Sequence, residues 1–189
     1  MATQMVGKLA NDIVTSLKVK TKQDVMKVPT INVEAYEYYL KAKYKVDEYR
    51  NQTGSRESLE IAKGLLGKAI NLDSNLLIAK ILKGDVYYHI GQDFPKNEHE
   101  YNLNKSMDIY KLTLKQAREL EDSVIIANSF MNIATIHMIR DTLTYASEYL
   151  DSSLTIYQNI NNKLGMVNSM RKIAWICRGN NNFLKAMNY

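Results

Sequence analysis

Cysteine, proline and tryptophan are scarce in this chain of 189 residues, which holds one, two and one of them respectively. The single cysteine, Cys177, excludes a disulfide framework, and its place on the apolar side of a helical pattern makes it a small core residue in a reducing, cytoplasmic setting. With two prolines and eight glycines, little interrupts long helices. No apolar run approaches the roughly 20 residues needed to span a bilayer, and the segment Met5–Leu17 is too charged and too broken for a signal peptide. No membrane contact is therefore expected.

The residues that chemistry requires are equally thin. The three histidines are His89, His99 and His137, and His99-Glu100 lacks the second histidine four positions on that a zinc-binding helix presents. His137 falls at an apolar helix position and reads as an interhelix residue. No G-x-S-x-G elbow, phosphate-cradling glycine loop or G-x-G-x-x-G fingerprint occurs. Thr53-Gly54-Ser55 reads as a turn ending in a helix N-cap. The carboxylate pairs Asp47-Glu48 and Glu121-Asp122 suit solvated helix surface. No catalytic residue, cofactor or metal is expected, and the chain does not read as an enzyme.

What the sequence does have is an internal repeat. AKILKGDVYYHIGQ from Ala79 to Gln92 returns in degenerate form as FMNIATIHMIRD from Phe130 to Asp141, and again as MRKIAWICRGNNNF from Met170 to Phe183. Each copy sets a small residue, Gly84, Ala134 or Ala174, within an apolar helical pattern, where a second helix can approach closely. About a dozen residues on, Ala146 and Ala186 place small side chains on that second helix, with Leu150 and Leu154 as bulk. Arg140-Asp141 and Asn180-Asn181-Asn182 supply the turns between.

These positions resemble the tetratricopeptide repeat family, which pairs a small residue and an aromatic in the first helix with alanines in the second. Gly84, Tyr87 and Gly91 fit the first-helix pattern. The following helix fits loosely, with added residues at Asp93–Tyr101 and with Ser106, Tyr110 and Thr113 in place of alanine, aromatic and alanine. An earlier repeat shows in Ala42, then Ala62, Leu66 and Ala69. Ala42, Gly84, Ala134 and Ala174 are separated by 42, 50 and 40 positions, against a family unit of about 34 residues, so long helices or inserted loops are expected. The resemblance implies an all-α fold: a right-handed α-α superhelix of antiparallel helix pairs over residues 32–189, about four repeats with the last truncated.

Residues 1–31 read as an amphipathic helix followed by a linker. VGKLANDIVTSLKVK with the later NVEAYEYYLKAKY resembles the junction between a TolB-like domain and the repeats that follow it in bacterial signalling proteins. That resemblance implies an upstream effector of the cyclase, kinase or winged-helix type, and makes this chain a segment of a longer protein.

The net charge is +5, and it is unevenly spread. Residues 161–189 carry Lys163, Arg171, Lys172, Arg178 and Lys185 with no acid, a basic end suited to an acidic partner or nucleic acid, or more simply one balanced by acids in chain further on. Nucleic acid is not an expected partner, since no zinc-finger spacing, recognition helix or aromatic RNA-binding signature accompanies the charge. The family's concave face implies a partner-binding groove of Ile81, Asp85 and Tyr88, then Met131, Asn132, Thr135 and Met138, then Arg171, Lys172, Trp175 and Arg178. The bland alternative packs Met131, Met138 and Trp175 between helices. The carboxylate clamp of chaperone-tail-binding repeats is not expected: Asn132 and Lys172 fit it, but Ile81 and Asp85 do not.

The expected function is a non-catalytic scaffold holding a protein or peptide segment in that groove, within a bacterial signalling or regulatory protein. One alternative is a sensory module controlling an upstream effector such as a nucleotide cyclase. The other is a structural module that forms a homodimer through its uncapped C-terminal repeat.

Overall fold

The structure, a computed structural model, describes residues 32–51, 55–94 and 96–179. The amphipathic segment and linker of residues 1–31, the Thr53-Gly54 turn, and the last helix expected around Leu184 lie outside the described residues. The chain divides into two units, Met1–Val33 and Glu34–Tyr189, and the fold below is that of the second. Among the described residues there are seven helices and no strand: α1 (Val33–Asn51), α2 (Arg56–Leu72), α3 (Leu77–Asp93), α4 (Lys96–Glu119), α5 (Ser123–Ile139), α6 (Leu143–Asn159) and α7 (Lys163–Gly179).

Apolar spacing decides which face each helix buries. On α1 the buried residues are Ala35, Ala42, Val46 and Tyr49, and on α2 Leu59, Ala62, Leu66 and Ala69 recur at helical intervals. Both stripes enter one cluster with Ala79, Leu82, Val86 and Ile90 of α3. Glu34 in the first turn of α1 and Arg50 in its last complement the helix dipole. From α2 onward each helix packs on the next, and α5 also touches α3 and α7. With four helical neighbours, α5 buries residues around most of its circumference: Ile125, Ala127, Ser129, Ile133, Ala134 and Ile136.

Three of the turns share one construction. Glu121, Asp141 and Asn161 adopt left-handed conformations, with φ of 55°, 55° and 53°. The next residue's N–H then reaches five residues back, from Asp122 to Ala117 O, Thr142 to His137 O, and Asn162 to Tyr157 O, each at 2.9 Å. This closes the preceding helix in the manner of a Schellman motif. Asp122 and Asn162 also cap the helices that follow, accepting from the Ile125 and Gly165 N–H groups at 3.0 and 2.9 Å. The turn expected at Arg140-Asp141 is one of these three. Ser55 is the N-cap residue of α2, but its side chain makes no capping bond.

Hydrogen bonds between paired helices correct the repeat register. Ser106 Oγ donates to Gly84 O at 2.9 Å, and Tyr110 Oη donates to Asp85 Oδ1 at 2.7 Å. In the next pair Ser153 Oγ donates to Ala127 O at 2.9 Å, and Tyr157 Oη donates to Asn128 Oδ1 at 2.6 Å. Gly84 therefore corresponds to Ala127, and it is Gly91 that corresponds to Ala134. A Cβ at Gly91 would lie 3.1 Å from His99 O and 3.2 Å from Asn102 Cβ, so α3 and α4 approach closely here. At Gly84 a Cβ would run into the Tyr110 ring. The two glycines lie seven apart, two turns of one helix, and so present the same face.

The same bonds locate the extra length. Lys96 begins α4 ten residues before Ser106, and Leu143 begins α6 ten before Ser153, but α4 runs on to Glu119 while α6 ends at Asn159. The surplus is two turns at the C-terminal end of α4, not an insertion at Asp93–Tyr101.

Of the three left-handed turn residues, glutamate gains least from that conformation, which Asn and Asp tolerate better. Glu121→Gly is expected to raise the unfolding free energy by about 1 kcal/mol, and Asn161→Gly by clearly less. Urea denaturation of the two variants checks the order.

Candidate functional site

Side chains from five helices converge on one hollow of about 360 Å³. Arg50 comes from the last turn of α1, Asp85, Tyr88 and His89 from α3, Tyr110 from α4, Asn132 and Thr135 from α5, and Arg171 and Lys172 from α7. Apart from Tyr110, all sit on the first helices of successive pairs.

Asp85 is the centre of this arrangement. Its Oδ1 accepts from Tyr110 Oη at 2.7 Å and from Asn132 Nδ2 at 3.2 Å. The Arg50 guanidinium lies 3.9 Å from its Oδ2. Burial raises the carboxyl to about 6, although the Tyr110 bond and the charges of Arg50 and Lys172 pull the other way. Burial also lowers the Lys172 ammonium, helped by Arg171 and opposed by Asp85. Tyr110 is pushed well up, first by burial and then by Asp85.

The rim is cationic. Arg50 Nη2 lies 3.4 Å from His89 Nε2, and burial followed by Arg50 lowers the His89 pKa, so that ring is neutral near pH 7. On its other side His89 Nδ1 is 3.7 Å from Asp93. Among the described residues, Arg171 and Lys172 make no ion pair within the 4 Å range in which Arg50 finds Asp47 and Asp85. Three cations thus face one carboxylate across the hollow.

Of the residues expected in a groove, Asp85, Tyr88, Asn132, Thr135, Arg171 and Lys172 line this hollow. Ile81 packs with Leu103, Met107 and Ile133 instead. Met131 and Met138 pack against the cluster of Leu150, Ile173 and Cys177. Trp175 is 49% exposed, outside the hollow, and Arg178 is exposed as well. Asp122 and Asn162 match as N-caps 40 positions apart, so Met131 and Met138 share register with Arg171 and Arg178. The α7 packing that covers the two positions on α5 leaves the α7 pair open.

Arg50, His89 and Tyr110 were not among the expected groove residues. Tyr110 carried a signal in standing at the aromatic position of the second helix. Among the described residues no cluster of His, Cys, Asp or Glu could hold a metal ion, and no helix is long and apolar enough to cross a membrane. No protein-family model matches the chain, and no curated protein matches it.

Asn128 occupies the Asp85 position in the following pair and accepts the equivalent tyrosine bond, so a neutral amide suffices for the fold. Asp85 in the folded protein titrates near 6, above the ordinary value of about 4. Its stabilising contribution is complete below about pH 4 and is lost as pH rises through 6. Asp85→Asn should therefore stabilise the protein at pH 7.5, by on the order of 1–3 kcal/mol for a side chain that keeps some solvent contact. It should also flatten the stability profile between pH 4 and 6. Thermal melts across that range test both effects.

Proposed function

We propose that this chain is a non-catalytic interaction scaffold whose hollow receives a segment of a protein partner. Its helix pairs would stack as a right-handed superhelix of the tetratricopeptide kind, serving a bacterial cytoplasmic signalling or regulatory protein downstream of a TolB-like region. The observation that carries this reading is the convergence of first-helix side chains from α1, α3, α5 and α7 on one polar hollow. Contacts of α5 with both α3 and α7 support the stacking.

The mechanism is preorganisation. Side chains held by the Tyr110–Asp85–Asn132 bonds have already lost their freedom on folding, so the incoming segment bears most of the ordering cost. Free cationic donors at the rim and exposed Trp175 beyond it are the side-chain types that dominate binding energetics. A hollow of this size also falls within the range of small-molecule sites, which favours the sensory module as the second reading.

Fluorescence anisotropy with short labelled peptides of acidic, basic and neutral composition tests the proposal. At least one class should bind saturably, and Lys172→Ala and Arg171→Ala should each weaken it by about tenfold, typical of an interfacial hot spot, with helicity unchanged in far-UV circular dichroism. Absence of saturable binding by every class would reject the peptide scaffold in favour of a small ligand.

A further inference from the structure

We infer that the hollow takes up an acidic peptide segment together with a proton, the peptide carboxylate going to Arg171 and Lys172 and the proton to Asp85. This rests on the scaffold reading and names the partner's chemistry and its regulation.

The geometry supplies three observations. Arg171 and Lys172 project from α7 into the hollow with no carboxylate in ion-pair range among the described residues. Lys172 is partly removed from water, a cost that Asp85 offsets only in part and that an arriving anion would offset further. Asp85 sits in the same hollow with Oδ1 accepting from Tyr110 and Asn132 and with Arg50 3.9 Å from Oδ2. An entering carboxylate meets this half-buried negative charge.

Every charged neighbour of Asp85 bears on that conflict. From α1 comes Arg50, itself shared with Asp47 and His89. His89 lies next to Asp93. The α4 and α5 neighbours, Tyr110 and Asn132, are neutral donors, and α7 contributes Arg171 and Lys172. Acidification favours the charged forms of Lys172 and His89, whose pKa values burial lowers, so neither adds a repulsion toward an anion. Asp85, which titrates near 6, is the group whose protonation removes the repulsion. The fold accepts a neutral side chain there, because Asn128 already makes the same bond to Tyr157. A carboxylate at this position therefore has a role beyond packing.

The test is fluorescence anisotropy of a labelled, blocked peptide of alternating Glu and Asp, titrated with the full chain at pH 5.5 and 7.5. The peptide carboxylates remain mostly ionised at both values. Wild type is expected to bind about 25-fold more tightly at pH 5.5, the ratio of protonated Asp85 for a midpoint near 6. Asp85→Asn should lose most of that pH dependence, keeping only the part that His89 contributes, and should bind about as tightly as wild type at pH 5.5, while Lys172→Gln should weaken binding at both. Equal wild-type affinity at the two pH values, or an undiminished pH dependence in Asp85→Asn, overturns the inference while leaving the scaffold reading intact. Binding of basic or neutral peptides in place of the acidic one does the same. If peptides of no class bind, the inference and the scaffold reading fall together.

Discussion

The arrangement depends on one two-point clasp between paired helices. A serine hydroxyl on the second helix seizes a main-chain carbonyl of the first, and a tyrosine one turn later bonds the side chain next to that carbonyl. Ser106 and Tyr110 hold Gly84 and Asp85 in this way, and Ser153 and Tyr157 hold Ala127 and Asn128. Apolar stripes bring helices together but allow sliding by a turn, because packing is non-directional. Two directed bonds at fixed separation remove that freedom. Their satisfaction also meets the requirement that buried hydroxyls find partners, and Ser129 Oγ is the buried atom that goes without one among the described residues.

The clasp explains how a carboxylate comes to lie under a cationic rim. The tyrosine needs an acceptor, and Asp or Asn both serve. In one pair the acceptor is neutral. In the other it is charged and partly removed from water, a choice that costs stability at neutral pH and places a titratable group beside Arg50 and Lys172. Proteins retain such costs where a site needs them.

Much of the helical organisation was legible in the sequence, because small residues, apolar spacing and turn chemistry are local. Asp141 stops a helix for reasons visible within a few residues. Register was less legible: Gly84 and Gly91 lie on one helix face, and only the hydroxyl bonds from Ser106 and Tyr110 distinguish them. The candidate site was legible where the first helices supply it, as with Asp85, Asn132 and Lys172. Met131 and Met138 follow the alternative that packs them between helices, because covering depends on the neighbouring helix pair; the same positions are packed over on α5 and open on α7 as Arg171 and Arg178. Arg50 and Tyr110 escaped for a related reason, since their approach to Asp85 spans 35 and 25 positions of chain and no periodicity encodes it.

The most direct test is the titration of Asp85 itself, followed through the side-chain carboxyl carbon in ¹³C-labelled protein by nuclear magnetic resonance. A midpoint near 6 is the predicted result and establishes a desolvated carboxylate clasped by Tyr110 within the hollow. A midpoint in the ordinary aspartate range of about 4 would contradict it, showing that burial does not outweigh the Tyr110 bond and the neighbouring cations and removing the basis for its role as a proton acceptor in the site.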